Sequence, residues 1–198
     1  MKNTILLIAS LCCVVLCLNA VAAPEPTVLR QDSGKNFSEM NLTLFSTVSE
    51  FGLNGLGVGE AVKFTAPKAG WKLQGVQVLG WSGFNNTTQT LPADRNILVE
   101  IRDKDLNLIY KFADMQNNYF VSTTSPVIGV IETPALPLTG DFYVVFYDRG
   151  AMGVAMEDSE GTGNSFLYIN GMMEPAERTV TETNETIKIN WLIDAFGN

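Results

Sequence analysis

The side chains that could do chemistry are almost all carboxylates, because the 198-residue sequence contains no histidine and only three cysteines. Cys12, Cys13 and Cys17 all lie in the apolar N-terminal stretch, which is interpreted below as a signal peptide. A chain without histidine cannot assemble a Ser-His-Asp triad, and without histidine or cysteine ligands it offers no ordinary zinc or copper site. The chemistry that remains is carboxylate catalysis and the binding of oxygen-coordinated metals.

Paired carboxylates can hydrolyse a glycosidic bond when two of them face each other across a cleft. The candidates are Glu100, Asp103, Glu132, Asp141, Glu157 and Asp158. An acidic chain contains many such pairs by chance, and the sequence places no two of them across a cleft. A carboxylate-dependent glycoside hydrolase is therefore the weakest of the three functions considered.

An acidic, glycine-bearing stretch, EDSEGTGNS at 157–165, is the main candidate for a metal site. Carboxylates and carbonyls of such a loop could wrap Ca²⁺, an ion that prefers six to eight oxygen ligands. The alternative is a solvated turn, so the cofactor prediction is either Ca²⁺ or none. The predicted ligands are Glu157, Asp158, Glu160 and Asn164.

A second acidic stretch, Asp103-x-Asp105-x-Asn107, also carries oxygen ligands at alternate positions. Leu108 stands where an EF-hand loop requires glycine, and Asp114 stands at the twelfth position in place of glutamate. This pattern favours a polar hairpin turn between two strands over a calcium loop.

Exposed aromatic rings are the candidates for carbohydrate binding, because sugar rings stack on aromatic faces. Most aromatic side chains are expected in the core, but some adjoin polar loops. The stretch GDFYVVFYDRG at 140–150 adds two tyrosines on the strand face opposite the predicted core face of Phe142, Val144 and Phe146. The predicted ligand-binding aromatics are Trp81, Phe84, Tyr119, Phe120, Tyr143 and Tyr147.

These side chains must be positioned by short strands. About eight apolar segments recur at spacings near ten residues with Gly, Pro and Asn between them, and no long segment has a period of 3.6. That spacing predicts an all-β fold, an antiparallel β-sandwich of jelly-roll-like type. The stretch WKLQGVQVLGW at 71–81 requires one bulge near Gly75 if its apolar residues are to share a face. Two strands are predicted to form a hairpin, at 97–102 and 108–112. A further strand is predicted at 126–131, and Pro134 and Pro137 bracket the link that follows it. The predicted domain covers 45–198, and 23–44 is an extended lead-in.

The N-terminus is typical of a secretory signal peptide. Lys2 precedes an apolar run at 5–18, and Ala20-Val21-Ala22 has the small-x-small pattern of a cleavage site. The alternative is an uncleaved N-terminal anchor. Cleavage after residue 22 would remove all three cysteines and Lys2, so that the net charge of −8 would become −9. Disulfides are then not expected, and the acidity disfavours nucleic acid and anionic membranes.

Five N-x-S/T sequons are predicted glycosylation sites, and they fit a secreted or cell-surface location. The alternative for some of them is an ordinary polar loop. The acceptor residues are Asn36, Asn41, Asn85, Asn86 and Asn184.

Three stretches in order, GEAVKFTAPKAGWKLQGVQVLGW at 59–81, ILVEIRDKDLNLIYKF with GDFYVVFYD, and NSFLYINGMMEPA closing with INWLIDAFG, resemble one known kind of domain. It is the jelly-roll-like β-sandwich accessory domain of secreted archaeal and bacterial proteins, many of them without an assigned function. The resemblance covers most of 59–197 and implies the fold more than any activity. Asp194 stands where such domains often have arginine, which puts any ion pair of that arginine in doubt.

The leading functional hypothesis is a secreted, non-catalytic binding or adhesion module at the cell surface, with carbohydrate as a candidate ligand. Its partner would be an extracellular glycan or a surface protein. A first alternative is a structural subunit of an extracellular layer or filament, in which the 23–44 segment adds a strand to a neighbour's sheet and forms a homo-oligomer. The second alternative is the glycoside hydrolase described above.

Overall fold

The structure, a computed structural model, describes residues 25–83, 87–88, 94–122, 125–158, 161–180 and 183–198. Within these ranges the chain is an antiparallel β-sandwich, as the sequence predicts, with fifteen strand segments where about eight were expected. The strands are β1 Thr27–Leu29, β2 Leu42–Phe45, β3 Gly59–Thr65, β4 Lys72–Trp81, β5 Asn96–Asp103, β6 Leu108–Met115, β7 Val127–Pro137, β8 Asp141–Tyr147, β9 Gly153–Glu157, β10 Ser165–Ile169, β11 Met172–Pro175, β12 Glu177–Val180, β13 Glu185–Lys188, β14 Asn190–Trp191 and β15 Ile193–Gly197. The helical segments are α1 Thr47–Phe51 and the 3₁₀ turns Phe37–Glu39, Gly52–Gly57 and Gln116–Asn118.

Two sheets form the two layers. In the seven-stranded sheet, β4 pairs with β7 along one side and with β15 and β9 along the other; β1 lies beside β15, and β2 and β14 flank β9. In the six-stranded sheet the order is β11-β10-β3-β8-β5-β6. The β12–β13 hairpin stands apart from both sheets.

The core lies between the inner faces of these sheets, because alternate residues of each strand point into it. On β8 the inward residues are Phe142, Val144 and Phe146, as the alternation predicts. Opposite them, β4 contributes Leu73, Val76 and Val78, which are fully buried.

The bulge predicted near Gly75 is present, since the pairing register of β4 with β7 shifts between Leu73 and Gly75. A Cβ on Gly75 would lie 2.4 Å from the ring of Phe196, so a larger residue could not occupy this position without rearrangement. The shift keeps Trp71 and Val76 on the same buried face, as expected for this strand.

Strand β7 is longer than expected and runs through Pro134 to Pro137. It pairs only with β4 among the described strands, and its Thr133–Ala135 stretch lies opposite the register shift, where no residue of β4 is paired with it. A proline is tolerated there because an edge strand beside a bulge needs no N–H from that residue.

The N-terminal segment belongs to the sandwich. Strand β1 pairs with β15 through Thr27 and Gly197, and β2 pairs with β9 through Phe45 and Val154. Between these strands the chain covers part of the outer face of the seven-stranded sheet, where Phe37 and Met40 pack on a small apolar cluster of Leu79, Ala155 and Leu192. The predicted signal peptide, residues 1–22, lies outside the described ranges.

Within the described part of the chain, no helix has both the length and the apolar character needed to cross a lipid bilayer.

Candidate functional site

The two tyrosines of β8 make contacts with other side chains of the same chain. Tyr147 is only 7% exposed, and its hydroxyl donates a 3.0 Å hydrogen bond to Glu100. Burial, together with the charge of Glu100 and this bond, raises the pKa of Tyr147 far above its ordinary value. Arg102 holds the same carboxylate at 2.6 Å. Tyr143 is half-buried, and its ring packs edge-on against Phe166 at a centroid distance of 5.9 Å. The prediction that Tyr147 is available to a ligand is therefore wrong.

The aromatic residues at the loop edges behave in a similar way. Phe120 is fully buried between Tyr119 and Phe146, so its predicted exposure is wrong. Trp81 is half-buried and donates its indole N–H to the Ser122 carbonyl at 3.1 Å. The hydroxyl of half-buried Tyr119 donates to Asp114 at 2.8 Å, and burial together with this bond raises the pKa of Tyr119 to about 12. Phe84 lies outside the described residues.

The predicted calcium ligands serve as internal anchors. Buried Glu157 accepts hydrogen bonds from the Ser33 backbone N–H and the Asn190 amide, both at 3.0 Å. These bonds hold the pKa of Glu157 below its usual value although burial opposes them.

The other two described members of that set are also occupied. Asp158 accepts a hydrogen bond from the Thr43 hydroxyl and lies 3.2 Å from the Arg178 guanidinium. The Asn164 amide donates to the side chain of Gln31. No cluster of three metal-ligating side chains occurs within the described ranges, and Glu160 lies outside them. The idea that this loop gathers its carboxylates around Ca²⁺ is therefore not supported by their geometry.

The second acidic stretch is a hairpin turn, as the sequence favours. The Asp103 carboxylate accepts the backbone N–H groups of Asp105 and Asn107 and the Asn107 amide, each at 2.9 Å. Leu106 adopts a left-handed φ of 66°, and β5 and β6 pair on either side.

Three of the predicted glycosylation acceptors, Asn36, Asn41 and Asn184, are exposed. Their exposure is compatible with modification, which stays a prediction. Asn85 and Asn86 lie outside the described residues.

Two cavities lined by described residues lie at one end of the sandwich. The antiparallel register brings the start of β3, the end of β8, the end of β10 and the start of β5 to the same edge, because Gly59 pairs with Tyr168 and Leu98 pairs with Tyr147. Loops at 46–58, 94–96, 148–151 and 169–171 meet there. We refer to these four loops as the loop end.

Asp148 anchors the loop end. Its fully buried carboxylate accepts hydrogen bonds from the Thr47 backbone N–H at 2.7 Å, the Thr47 hydroxyl at 2.8 Å and the Gly150 backbone N–H at 2.6 Å. The carboxylate thereby supplies the N-terminal cap of α1 that Ser46 does not provide. One buried side chain thus fixes both the 46–58 loop and the 148–151 turn.

Glu60 lies beneath the same loops. It is fully buried, and neither of its carboxyl oxygens has a hydrogen-bond partner among the described residues. Burial and the nearby carboxylate of Asp148 raise the pKa of Glu60 well above its ordinary value, which favours its protonated form. Without contact to solvent, this acid cannot reach a polysaccharide.

A cavity of about 410 Å³ opens on one side of the 46–58 loop. The half-buried ring of Phe51 and the exposed side chains of Asn54 and Asn170 line it, with Val58 and Ile169 as apolar walls and Gly57 in the lining. An aromatic ring beside two amides offers both a stacking surface and paired hydrogen-bond donors and acceptors. We call this the amide cavity.

A cavity of about 350 Å³ opens on the other side of the same loop. Its polar lining consists of Asp94, Arg95, Asn96 and Arg149, and its apolar lining of Leu56 and Met115. We call this the arginine cavity. Leu56 lines it, and the next residue, Gly57, lines the amide cavity, so the two cavities are neighbours.

Sequence patterns did not single out either cavity. Each draws its residues from strand ends far apart in the chain, such as Phe51 with Asn170 and Arg95 with Arg149. One local signal was available: four glycines at 52–59 form a stretch too irregular for a strand, which is typical of a binding loop.

No family model, curated protein or solved structure matched the chain in the comparisons.

Proposed function

We propose that the protein is a secreted, non-catalytic carbohydrate-binding module that acts at the cell surface and binds glycan at the loop end. The observation that carries the proposal is the amide cavity, in which Phe51, Asn54 and Asn170 converge. Its volume of about 410 Å³ lies within the range of small-molecule sites.

The lining suits a sugar ring. The apolar face of a pyranose packs on an aromatic ring, and its hydroxyls donate to and accept from amide groups. Asn170 adopts a left-handed φ of 51°, a conformation that asparagine tolerates better than most residues, and it precedes Gly171 in the turn between β10 and β11. Asn170 lines the amide cavity from this turn, and Phe51 lines it from the 46–58 loop.

The site is also held in place before a ligand arrives. The bonds of Asp148 to Thr47 fix the start of the 46–58 loop, and Gly55 packs directly beneath the Thr47 carbonyl. A binding loop that is already ordered loses less conformational entropy on binding.

The experiment is a glycan array, with and without Ca²⁺, followed by calorimetry on the best ligand. Asn170→Gly keeps the left-handed backbone and removes the amide, and Asn54→Ala removes the second amide; each is expected to weaken binding at least tenfold. Phe51→Ala is expected to do the same, although it also removes an edge contact with Phe45. Leu53→Ala is the matched control, because Leu53 is 83% exposed and lines neither cavity.

Two results would overturn the proposal. The first is the absence of binding on the array in both conditions. The second is binding that Leu53→Ala weakens as much as the two asparagine substitutions do.

A structural subunit of an extracellular layer or filament is the second candidate, and the observation that favours it is the surface of β7. Ile128 and Val130 are 46% and 45% exposed, and the outer edge of β7 pairs with no other strand in the described ranges. A neighbour's N-terminal segment could pair there if it left its own β15. Purified protein that polymerises, and that stops polymerising on deletion of residues 23–35 or on Val130→Lys, would favour this candidate.

A further inference from the structure

The arginine cavity holds the two arginines that no carboxylate neutralises in the described part of the chain. The sequence has five arginines. Arg30 pairs with Asp32, Arg102 with Glu100 and Arg178 with Asp158. The remaining two, Arg95 and Arg149, line the same cavity of about 350 Å³.

The backbone of Arg95 is fixed by the buried side chain and backbone of Gln116. The Arg95 N–H donates to the Gln116 side-chain carbonyl, and the Arg95 carbonyl accepts the Gln116 backbone N–H at 2.9 Å. One guanidinium nitrogen of Arg95 donates to the Gly150 carbonyl at 3.1 Å. The guanidinium therefore joins the start of β5 to the 148–151 turn while most of its N–H groups stay available to a ligand.

Arg149 occupies a backbone position that arginine rarely adopts. It has a φ of 49°, Gly150 has a φ of 67°, and the Ala151 N–H donates to the Asp148 carbonyl at 2.8 Å, which together define a type I′ turn. Asn, Asp and Gly are favoured at the first central position, and a left-handed backbone is strained for arginine. The turn is held by Asp148, and Arg149 is exposed at its tip.

The other lining residues narrow the ligand class. Asp94 and Asn96 lie in the cavity with the two arginines, and Leu56 and Met115 add apolar surface. A bare inorganic anion would gain nothing from Asp94, whose carboxylate would repel it. A sugar acid has hydroxyls that donate to Asp94, a carboxylate that pairs with guanidinium groups, and a ring that packs on apolar side chains.

We propose that the arginine cavity binds the carboxylate of a uronic acid residue, adjoining the sugar held in the amide cavity. This inference rests on the proposed function, because it names the glycan class that the loop end recognises. In a chain with a net charge of −8, two guanidinium groups in one cavity that form no ion pair within the described residues provide a local attraction for an anion.

The test compares an oligogalacturonate with its methyl ester, which has the same rings without the charges. Calorimetry is run on the wild type and on Arg95→Gln and Arg149→Asn, with the Arg side-chain N–H resonances followed by NMR. The acid is expected to bind at least tenfold more tightly than the ester, and each substitution to remove most of that preference. Arg178→Gln is the matched control for net charge, since Arg178 pairs with Asp158 outside the cavity, and it should keep the preference.

A second measurement separates binding from folding. Asparagine accepts the left-handed backbone at position 149 better than arginine does, so Arg149→Asn is expected to keep or raise the unfolding temperature while it loses the acid preference. A loss of binding together with a large fall in unfolding temperature would count against a direct role of Arg149.

The outcomes distinguish this inference from the proposed function. Equal binding of acid and ester that depends on Asn54 and Asn170 would overturn the inference and leave the carbohydrate site intact. Acid-selective binding that depends on both arginines but not on the asparagines would support the inference and overturn the assignment of the amide cavity as a sugar site. A sulfated oligosaccharide that binds where the uronate does not, an equal loss with Arg178→Gln, or no binding of either oligomer would overturn the uronate assignment.

Discussion

At the scale of single residues, Asp194 shows how the N-terminal segment contributes charge to the sheet that it covers. Burial and the carboxylate of Asp32 raise the pKa of Asp194 to about 7, while the guanidinium of Arg30 lowers it. Arg30 and Asp32 are themselves paired at 2.7 Å. The last strand thus carries a buried acid, and the arginine that acts on it comes from the N-terminal segment.

The first prediction concerns the pH dependence caused by Asp194. Its pKa is higher in the folded chain than the value of 3.8 in the unfolded one, so the folded state binds the extra proton between about pH 4 and 7. The free energy of unfolding should therefore fall by about 2–4 kcal/mol as the pH rises through that range. Asp194→Asn should flatten this fall and be more stable than the wild type at pH 7.5 in urea titrations. Asp105→Asn, at an exposed turn, serves as the control and should leave the slope unchanged.

The second prediction concerns Glu60. A buried carboxyl group without a hydrogen-bond partner lowers stability, because it has lost its bonds to water and gained none from the protein. Glu60→Leu has a similar volume and no polar atoms, so it should raise the free energy of unfolding at pH 7 by about 1–3 kcal/mol. Glu60→Gln keeps the polar atoms and should gain less. A Leu variant less stable than the wild type at pH 7 would show that Glu60 has a favourable partner after all.

Residue types alone could exclude chemistry, but they could not assign the site. The absence of histidine ruled out two classes of active site directly from the composition. The hydrogen bond of Tyr147 depends on Glu100, which comes from the neighbouring strand β5, and the cavity that Arg149 shares with Arg95 depends on the meeting of two loops far apart in the chain. Such facts follow from which strands become neighbours, and a single sequence does not specify that.

At the scale of elements, α1 and the 3₁₀ turn after it form the wall between the two cavities. Gly55 is the close contact in this wall, because a Cβ at that position would lie 2.2 Å from the Thr47 carbonyl oxygen. Gly57, two residues later in the same 3₁₀ segment, has open space around the position of a Cβ. Gly57 can therefore serve as the control for a substitution at Gly55, because both lie in the same segment and only Gly55 is in close contact.

The third prediction uses that pair. Gly55→Ala must push the 52–57 turn away from Thr47 and should lower the free energy of unfolding by about 2 kcal/mol, with faster amide exchange across 47–57 and weaker glycan binding. Gly57→Ala should change stability by less than about 0.5 kcal/mol and leave exchange unchanged. Denaturant unfolding and hydrogen exchange measure both effects. Equal effects of the two substitutions would contradict the role given to Gly55.

Elements were predictable in proportion to their regularity. Strand β4 and the β5–β6 hairpin follow from alternating apolar residues, and the bulge at Gly75 follows from the break in that alternation. Segments as short as β1 and α1 have no such period, because their stability comes from tertiary pairing and from the cap supplied by Asp148. The extension of β7 through Pro134 depends on its position at a sheet edge, which local sequence does not reveal.

At the scale of the whole molecule, four of the buried acids in the described ranges form two pairs with opposite effects on stability. Glu100 is paired with Arg102 and bonded to Tyr147, and Glu157 is bonded to Ser33 and Asn190; although burial opposes these bonds, the pKa of each lies below its usual value. Both therefore stabilise the fold above the unfolded pKa near 4.5, and this contribution disappears as the pH falls. Glu60 and Asp194 have raised pKa values, so the fold loses stability as the pH rises above the unfolded pKa of these two acids.

The fourth prediction follows from these two groups. At about pH 4.5 the paired acids are mostly ionised in the folded chain, while above that pH the unfolded chain no longer holds the protons that folded Glu60 and Asp194 retain, so the free energy of unfolding should be highest near this pH. It should fall toward pH 3 as Glu100 and Glu157 become protonated, and toward pH 8 as Asp194 ionises. The double variant Glu60→Gln with Asp194→Asn should keep the acid limb and lose most of the decline above pH 5, since only the second group has been removed. Urea unfolding from pH 3 to 9 measures both limbs, and a wild-type maximum at pH 7 or above would contradict the assignment of raised pKa values to the two buried acids.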